Sequence, residues 1–270
     1  MSANTIAVFD SGIGGLTVVR ELFALLPHER IVYFGDTARV PYGSRSPEII
    51  RRYAREDTEL LLQHNPSLIV VACGTVSSVA LDVVQETASG IDVIGMIPAA
   101  SAEALAATRN GRIGIIGTEA TIGSNAYGAE IRANAGSRHI ETFSQACPLF
   151  VPIAEEGWQD HQAARLIAEE YLAPLNEVGV DTLILGCTHY PVLRSVIQSV
   201  MGPNVTLVNP GAASAKIVQS RVTPSGDAPA DHVLMVSDIP RKFQSVGERF
   251  LGYELPPVRR VVYKEAWVVA

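Results

Sequence analysis

Cysteine is scarce in this sequence: three occur in 270 residues, at positions 73, 147 and 187. An odd, widely spaced set is not a disulfide framework, so it predicts reduced thiols and a cytoplasmic setting. Basic charge is short as well. Lysine and arginine number 21 against 28 acidic residues, a net charge of −7. That excludes a general nucleic-acid or membrane-surface binder, since both need a basic face. A small anionic substrate needs only a local positive field and stays allowed. No apolar run approaches the ~20 residues of a membrane span. The opening MSANTIAVFD has neither the charged nor the long apolar region of a signal peptide. Disorder is also excluded, because 47% of the residues are hydrophobic and only 18% charged, enough for a sizeable core.

What is present alternates short β-branched runs with longer helical stretches, the pattern of a parallel sheet covered by helices. Strands are expected at Thr5–Phe9, Ile31–Phe34, Leu68–Ala72, Val93–Ile97, Arg112–Ile116, Thr182–Leu185, Val205–Val208 and His232–Val236. Helical patterns cover Gly15–Leu26, Pro47–Gln63, Pro98–Thr108, Asp160–Leu175 and Pro191–Val200, and TPSGDAPAD (Thr223–Asp231) reads as a loop. The length suits two modest α/β domains or one large one. A weak internal echo favours two: IAVFDS at Ile6 resembles IGIIGT at Ile113, and LIVVACGT at Leu68 resembles TLILGCTH at Thr182. If two such halves face each other about a pseudo-twofold axis, Cys73 and Cys187 approach one ligand from opposite sides.

In open α/β sheets ligands bind beyond the carboxyl ends of strands. Four polar clusters fall there: Asp10-Ser11, Asp36 through Tyr42-Gly43, Cys73-Gly74-Thr75 and Cys187-Thr188-His189. Free cysteine is usually a small buried hydrophobe, and Cys147, in QACPLF, fits that description. Cys73 and Cys187 fit it less well, because each ends a strand and precedes a residue able to open a helix, where a thiolate is stabilised. A zinc site would want three or four ligands in close pairs, which this spacing does not offer. Cysteine-protease chemistry would use one thiol and leave the other unexplained. Two thiols at related strand ends suit removal of a proton from one face of a carbon and its return to the other. That is the chemistry of a two-base racemase or epimerase, whose carbanion-like transition state needs desolvation and electrostatic help.

DSGIGGL (Asp10–Leu16) can present backbone N–H groups to an anion. Its rival reading is a dinucleotide loop with Asp36 as the ribose acid, but Thr17 stands where the third glycine belongs. Pyridoxal phosphate needs a Schiff-base lysine. The three lysines, Lys216, Lys242 and Lys264, are not at predicted strand ends, so cofactor-independent chemistry is expected. His189, beside Cys187, suits a proton relay. Glu155 and Glu156 read as residues opening a helix, and the residues alone do not choose between them.

Taken together FDSGIGGL (Phe9–Leu16), PYG (Pro41–Gly43), VACGT (Val71–Thr75), GTEATIGSNAY (Gly117–Tyr127), ACPLFVP (Ala146–Pro152) and LGCTHYP (Leu185–Pro191) resemble the glutamate racemases of the aspartate/glutamate racemase superfamily, nearly end to end. The resemblance implies two similar parallel-sheet α/β domains facing each other, with the site between them. The first would take residues 1–97 plus 209–270 and the second 98–208. It implies Cys73 and Cys187 as acid/base thiols, Asp10 assisting Cys73, His189 assisting Cys187, and Glu155 orienting the histidine. Asp10, Ser11, Tyr42, Gly43, Gly74, Thr75, Thr188 and His189 would hold the substrate. It further implies no cofactor, a homodimer, and supply of D-glutamate for peptidoglycan. Two departures stand out: Gly74 replaces the usual asparagine, and Asn209-Pro210-Gly211 stands where an aspartate is common. They leave open a racemase for aspartate or a related amino acid, or a glutamate-binding or regulatory protein with impaired catalysis.

Overall fold

A computed structural model describes residues 4–224, 231–239 and 243–262. Lys242, Lys264 and most of the expected Thr223–Asp231 loop lie outside the described residues. The first part of the chain runs β1 (Thr5–Asp10), α1 (Leu16–Leu25), β2 (Arg30–Gly35), α2 (Pro47–Leu62), β3 (Leu68–Val71), α3 (Gly74–Val79), α4 (Leu81–Ala88) and β4 (Asp92–Ile94). It continues with α5 (Met96–Ala107), β5 (Arg112–Gly117), α6 (Glu119–Gly123), α7 (Ala126–Asn134), β6 (Glu141–Ala146), α8 (Phe150–Glu156) and α9 (Gln162–Glu177). Next come β7 (Thr182–Leu185), a 3₁₀ turn (Tyr190–Leu193), α10 (Arg194–Met201) and β8 (Thr206–Val208). The chain closes with α11 (Pro210–Arg221), β9 (Val233–Val236), α12 (Phe243–Leu251) and β10 (Val258–Arg260).

These strands form two separate sheets, one per α/β domain. One has six strands in the order β10-β9-β2-β1-β3-β4, the other four in the order β6-β5-β7-β8. Every pairing is parallel. Helices therefore cover both faces, and central strands need no polar face. Ile6, Ala7, Val8 and Phe9 of β1, and Leu183, Ile184 and Leu185 of β7, are fully buried. That two-sided burial is why these segments read as unbroken apolar runs.

The order β2-β1-β3-β4 in one sheet repeats as β6-β5-β7-β8 in the other, which gives the internal echo a structural meaning. β1 corresponds to β5, and β3 to β7, so the loops after all four occupy equivalent places at the carboxyl edges. The boundaries expected from sequence fall in the first turn of α5 and at the junction of β8 with α11. α11 packs against both α1 and α5, across the junction. Thr17 Oγ1 of α1 lies 2.9 Å from the carbonyl oxygen of Thr188, a hydrogen bond from one domain to the other.

Three expectations are corrected. The strand predicted at Val93–Ile97 ends at Ile94, because Gly95 caps α5, which starts at Met96 and tolerates Pro98 in its first turn. β6 and β10 were not anticipated. Both are sheet edges, and β6 (ETFSQA) has no fully buried residue, so neither carries an apolar run. Glu155 and Glu156 close a helix rather than open one, since α8 ends at Glu156.

Candidate active site

Cys73 follows β3 as the N-cap of α3, and Cys187 follows β7 just ahead of the 3₁₀ turn. Both sulfur-bearing residues line one cavity of about 410 Å³ between the domains, a size suited to a small metabolite. Ser11, Tyr42, Gly43, Thr75, Thr188, His189 and Glu155 line the same cavity. The third cysteine, Cys147, is fully buried in the core.

Two of the expected substrate contacts stand behind the wall. Asp10 is fully buried, and its Oδ2 accepts the backbone N–H groups of Gly12, at 3.1 Å, and Gly15, at 2.9 Å. The glycine loop therefore turns the Gly12 and Gly15 amides to Asp10, while Ser11, Gly12 and Ile13 still line the cavity. Gly14 has another use: a Cβ there would lie 2.3 Å from Thr188 Oγ1 and 2.5 Å from His189 Nδ1, so its bare backbone lets the opposite domain approach. Gly74 does not face the large cavity either. It lines a small void of about 10 Å³ with Tyr127, Gly186 and Asn209. A Cβ at position 74 would stand 2.3 Å from the carbonyl oxygen of Gly186.

The two thiols sit in different surroundings. Cys73 Sγ lies 3.4 Å from Ser11 Oγ. Burial, then the nearby Asp10 carboxylate, push the Cys73 thiol up to about 12, against the smaller opposing pull of Ser11 and the backbone N–H of Val76. Cys73 is accordingly a neutral thiol near pH 7. Asp10 is itself raised by burial, against the pull of His189 and backbone N–H groups, and its Oδ1 has no hydrogen-bond partner among the described residues.

On the other side, Cys187 Sγ lies 3.8 Å from His189 Nδ1, and His189 Nε2 lies 3.0 Å from Glu155 Oε1. Burial works to lower the His189 pKa, but hydrogen bonds to Cys187 and Glu155 outweigh it and raise it to about 10. The imidazole thus bridges the Cys187 sulfur and the Glu155 carboxylate. The contact also selects Glu155 over Glu156 as the histidine's partner.

Tyr42 lines the cavity, but its hydroxyl is turned to buried carboxylates. That hydroxyl donates to Asp36 and lies 3.1 Å from Asp57 Oδ2. Asp36 also accepts from Ser237 Oγ at 2.8 Å and Arg39 Nε at 2.5 Å. Held this way in a buried network, Asp36 is not placed to bind a ribose, which removes the dinucleotide reading.

Sequence reasoning passed over Thr118 and Glu119, which also line the cavity. Thr118 caps α6 by accepting the N–H of Thr121, and its hydroxyl lies 3.0 Å from that of Thr75. The signal was available: Thr118 follows β5 as Ser11 follows β1, and the strand-end rule covers it. Among lining side chains only His189 is basic, while Ser11, Ser44, Thr75, Thr118 and Thr188 supply hydroxyls. A carboxylate here would be held by neutral dipoles.

A family model described as Asp/Glu/hydantoin racemase matches residues 14–218. The glutamate racemase of Chlorobaculum tepidum is 55% identical over 266 residues, covering 96% of this chain and 97% of the relative. That of Chlorobaculum parvum is 53% identical over 265 residues, covering 96% and 97%. Among solved structures, the glutamate racemase of Francisella tularensis in complex with D-glutamate superposes with a TM-score of 0.90 at 38% identity, covering 97% of this chain and 98% of that one.

Proposed function

The chain belongs to the Asp/Glu/hydantoin racemase family, and from that membership we propose that it interconverts L- and D-glutamate by proton transfer between Cys73 and Cys187. The observation that carries this reading is the opening of both thiol-bearing loops, one from each domain, into a single cavity. The likeness to a racemase solved with D-glutamate supports the choice of substrate.

In one direction the Cys187 thiolate takes the proton from Cα and becomes a thiol. The electron pair left on Cα is drawn into the adjoining carboxylate, whose growing charge the hydroxyl dipoles of the cavity can meet. Cys73, resting as a thiol, gives its proton to the opposite face of Cα and is left as a thiolate. The reverse reaction exchanges the roles. The substrate ammonium is the countercharge that a Cys73 thiolate beside Asp10 requires. Asp10 assists Cys73, while His189, oriented by Glu155, assists Cys187. Proton transfer between two thiols needs no cofactor.

From the family resemblance we also propose domain boundaries at residues 97/98 and 208/209, a cytoplasmic homodimer, and supply of D-glutamate for peptidoglycan. The test of the central reading is the purified protein with L-glutamate in deuterated water, followed by circular dichroism and NMR. Decay of the optical signal with one solvent deuterium entering Cα is expected, and Cys73→Ala and Cys187→Ala should each abolish it. Racemisation surviving in either variant refutes the two-thiol mechanism. Turnover of aspartate in place of glutamate would reassign the substrate, and glutamate binding without exchange would mark a non-catalytic protein.

A further inference from the structure

Helix α12 belongs to the six-stranded domain by its neighbours, since β9 and β10 flank it in sequence and it packs on α1. Two of its consecutive residues nevertheless reach the catalytic relay of the other domain. Phe250 packs edge-to-face on His189, with ring centroids 5.1 Å apart at 89°. Arg249 Nη1 lies 3.2 Å from the carbonyl oxygen of Ala154 and 3.1 Å from that of Glu155. One turn of α12 thus touches both partners of the His189–Glu155 hydrogen bond.

The Arg249 contact answers a local problem in α8. That helix has seven residues and carries Glu155 and Glu156 in its last turn, beside Gly157 at φ +73°. Carboxylates are disfavoured at a helix C-terminus, where the unpaired carbonyl groups already present negative charge. A guanidinium set against those carbonyls supplies hydrogen-bond donors and the opposite charge. The fit is close, because a Cβ on Gly157 would fall 2.6 Å from Arg249 Cζ. The Glu155 side chain itself is 45% exposed, so packing alone does not fix its carboxylate.

We propose that Arg249 is a positioning residue for the Cys187 half of the site, holding the Glu155 carboxylate on His189 by clamping the C-terminal turn of α8. It touches neither thiol nor cavity. Its loss frees the last turn of α8 and loosens the Glu155 bond to His189, so the histidine loses the carboxylate that favours its charged form. Cys73 keeps its own neighbours, Ser11 and Asp10, so the damage is one-sided. The inference rests on the reading of Cys187 as one of the two bases.

The test compares Arg249→Met and Arg249→Lys with the unmodified enzyme, by two readouts. The first is turnover of both enantiomers of glutamate, each with hydrogen or deuterium at Cα. For Arg249→Met, kcat should fall roughly 10- to 100-fold with KM within about threefold, as expected when a reacting group is misplaced by about an ångström. The gap between the two enantiomers' isotope effects should widen, because one of the two proton transfers has become slower.

The second readout is independent of activity: the titration of His189 by ¹H–¹⁵N NMR, assigned with His189→Gln. The titratable groups facing His189 are Cys187, Glu155 and Asp10, and only the Glu155 contact should change. His189 should titrate near 10 in the unmodified enzyme and at least about one unit lower in Arg249→Met, with Arg249→Lys between. An Arg249→Met enzyme with unchanged His189 titration overturns the proposal, as does one that slows both enantiomers with unchanged isotope effects. If Arg249→Met fails to fold, Arg249→Lys carries both measurements and decides in the same way. Failure of the unmodified enzyme to racemise glutamate would count against the functional reading, while the His189 titration still judges the clamp.

Discussion

Gly74 offers the sharpest test of how the two domains meet. It directly follows Cys73, and its missing Cβ would stand 2.3 Å from the carbonyl oxygen of Gly186, the residue directly before Cys187. Carbon and oxygen rarely approach closer than about 3.3 Å, so Gly74→Ala must open this seam by about 1 Å. The obstacle is backbone, so rotamer changes cannot relieve it. Over-packing of this kind costs about 1–3 kcal/mol. The displacement is passed on to both thiols, because each lies one residue from the contact. A misplacement of about 1 Å at reacting groups can lower a rate by up to roughly 100-fold. Urea unfolding should register the first loss, and polarimetric turnover of L-glutamate the second. Gly74→Asn should cost more turnover still, since its amide has only a void of about 10 Å³ to enter. A Gly74→Ala protein within about 0.5 kcal/mol of the parent, with turnover within about twofold, would show that the seam is loose and that this reasoning fails.

Two further outcomes follow from the charge arrangement. Arg39 reaches Asp36 Oδ2 at 2.5 Å, Asp57 Oδ1 at 2.8 Å and also Glu56, and both aspartates are fully buried. Arg39→Met should therefore cost about 3–5 kcal/mol in urea unfolding and raise KM, since Tyr42, bonded to the same aspartates, lines the cavity; a loss below about 1 kcal/mol would contradict this. The folded-state pKa of His189, about 10, lies above the ordinary value of ~6.5. Its contribution is thus fully present below pH ~6.5 and is lost as pH rises through about 10, at no more than ~1.4 kcal/mol per pH unit. Unfolding at pH 7 and 9.5 should show a decline in the parent that His189→Asn flattens, and an equal decline in both would refute the raised pKa.

What could be read from sequence tracks what burial writes into it. The central strands are covered on both faces, so β1, β2, β3, β5 and β7 stood out as apolar runs, and the polar ends of four carboxyl edges marked the site. Edge strands carry no such mark, which is why β6 and β10 were missed. Backbone proximity leaves even less trace. Gly14 and Gly74 matter because of what the opposite domain places against them, and their immediate neighbours in the chain do not reveal it. Glu155 was misread as helix-opening for a similar reason. Its position at the end of α8 makes sense only with His189 and Arg249, 34 and 94 residues away in sequence.

The two halves share a strand order, yet their thiols do not share an environment. Burial and the nearby Asp10 disfavour charge on Cys73, with Ser11 only partly opposing them, whereas Cys187 has a cationic histidine backed by a carboxylate. For a racemase this difference has a bounded effect. Mirror-image substrates have equal free energies in water, so kcat/KM must be the same in both directions whatever surrounds each thiol. Asymmetry can alter only how the free enzyme divides between its two protonation states, and with it the individual kcat and KM values. In the proposed mechanism the neutral Cys73 thiol is the proton donor, so the enantiomer deprotonated by Cys187 finds the enzyme ready. For the other, a proton must first move. Asp10 acts on Cys73 while His189 and Glu155 stand on the Cys187 side, a difference the duplicated sheets do not provide by symmetry, and it is where the two domains have become chemically different.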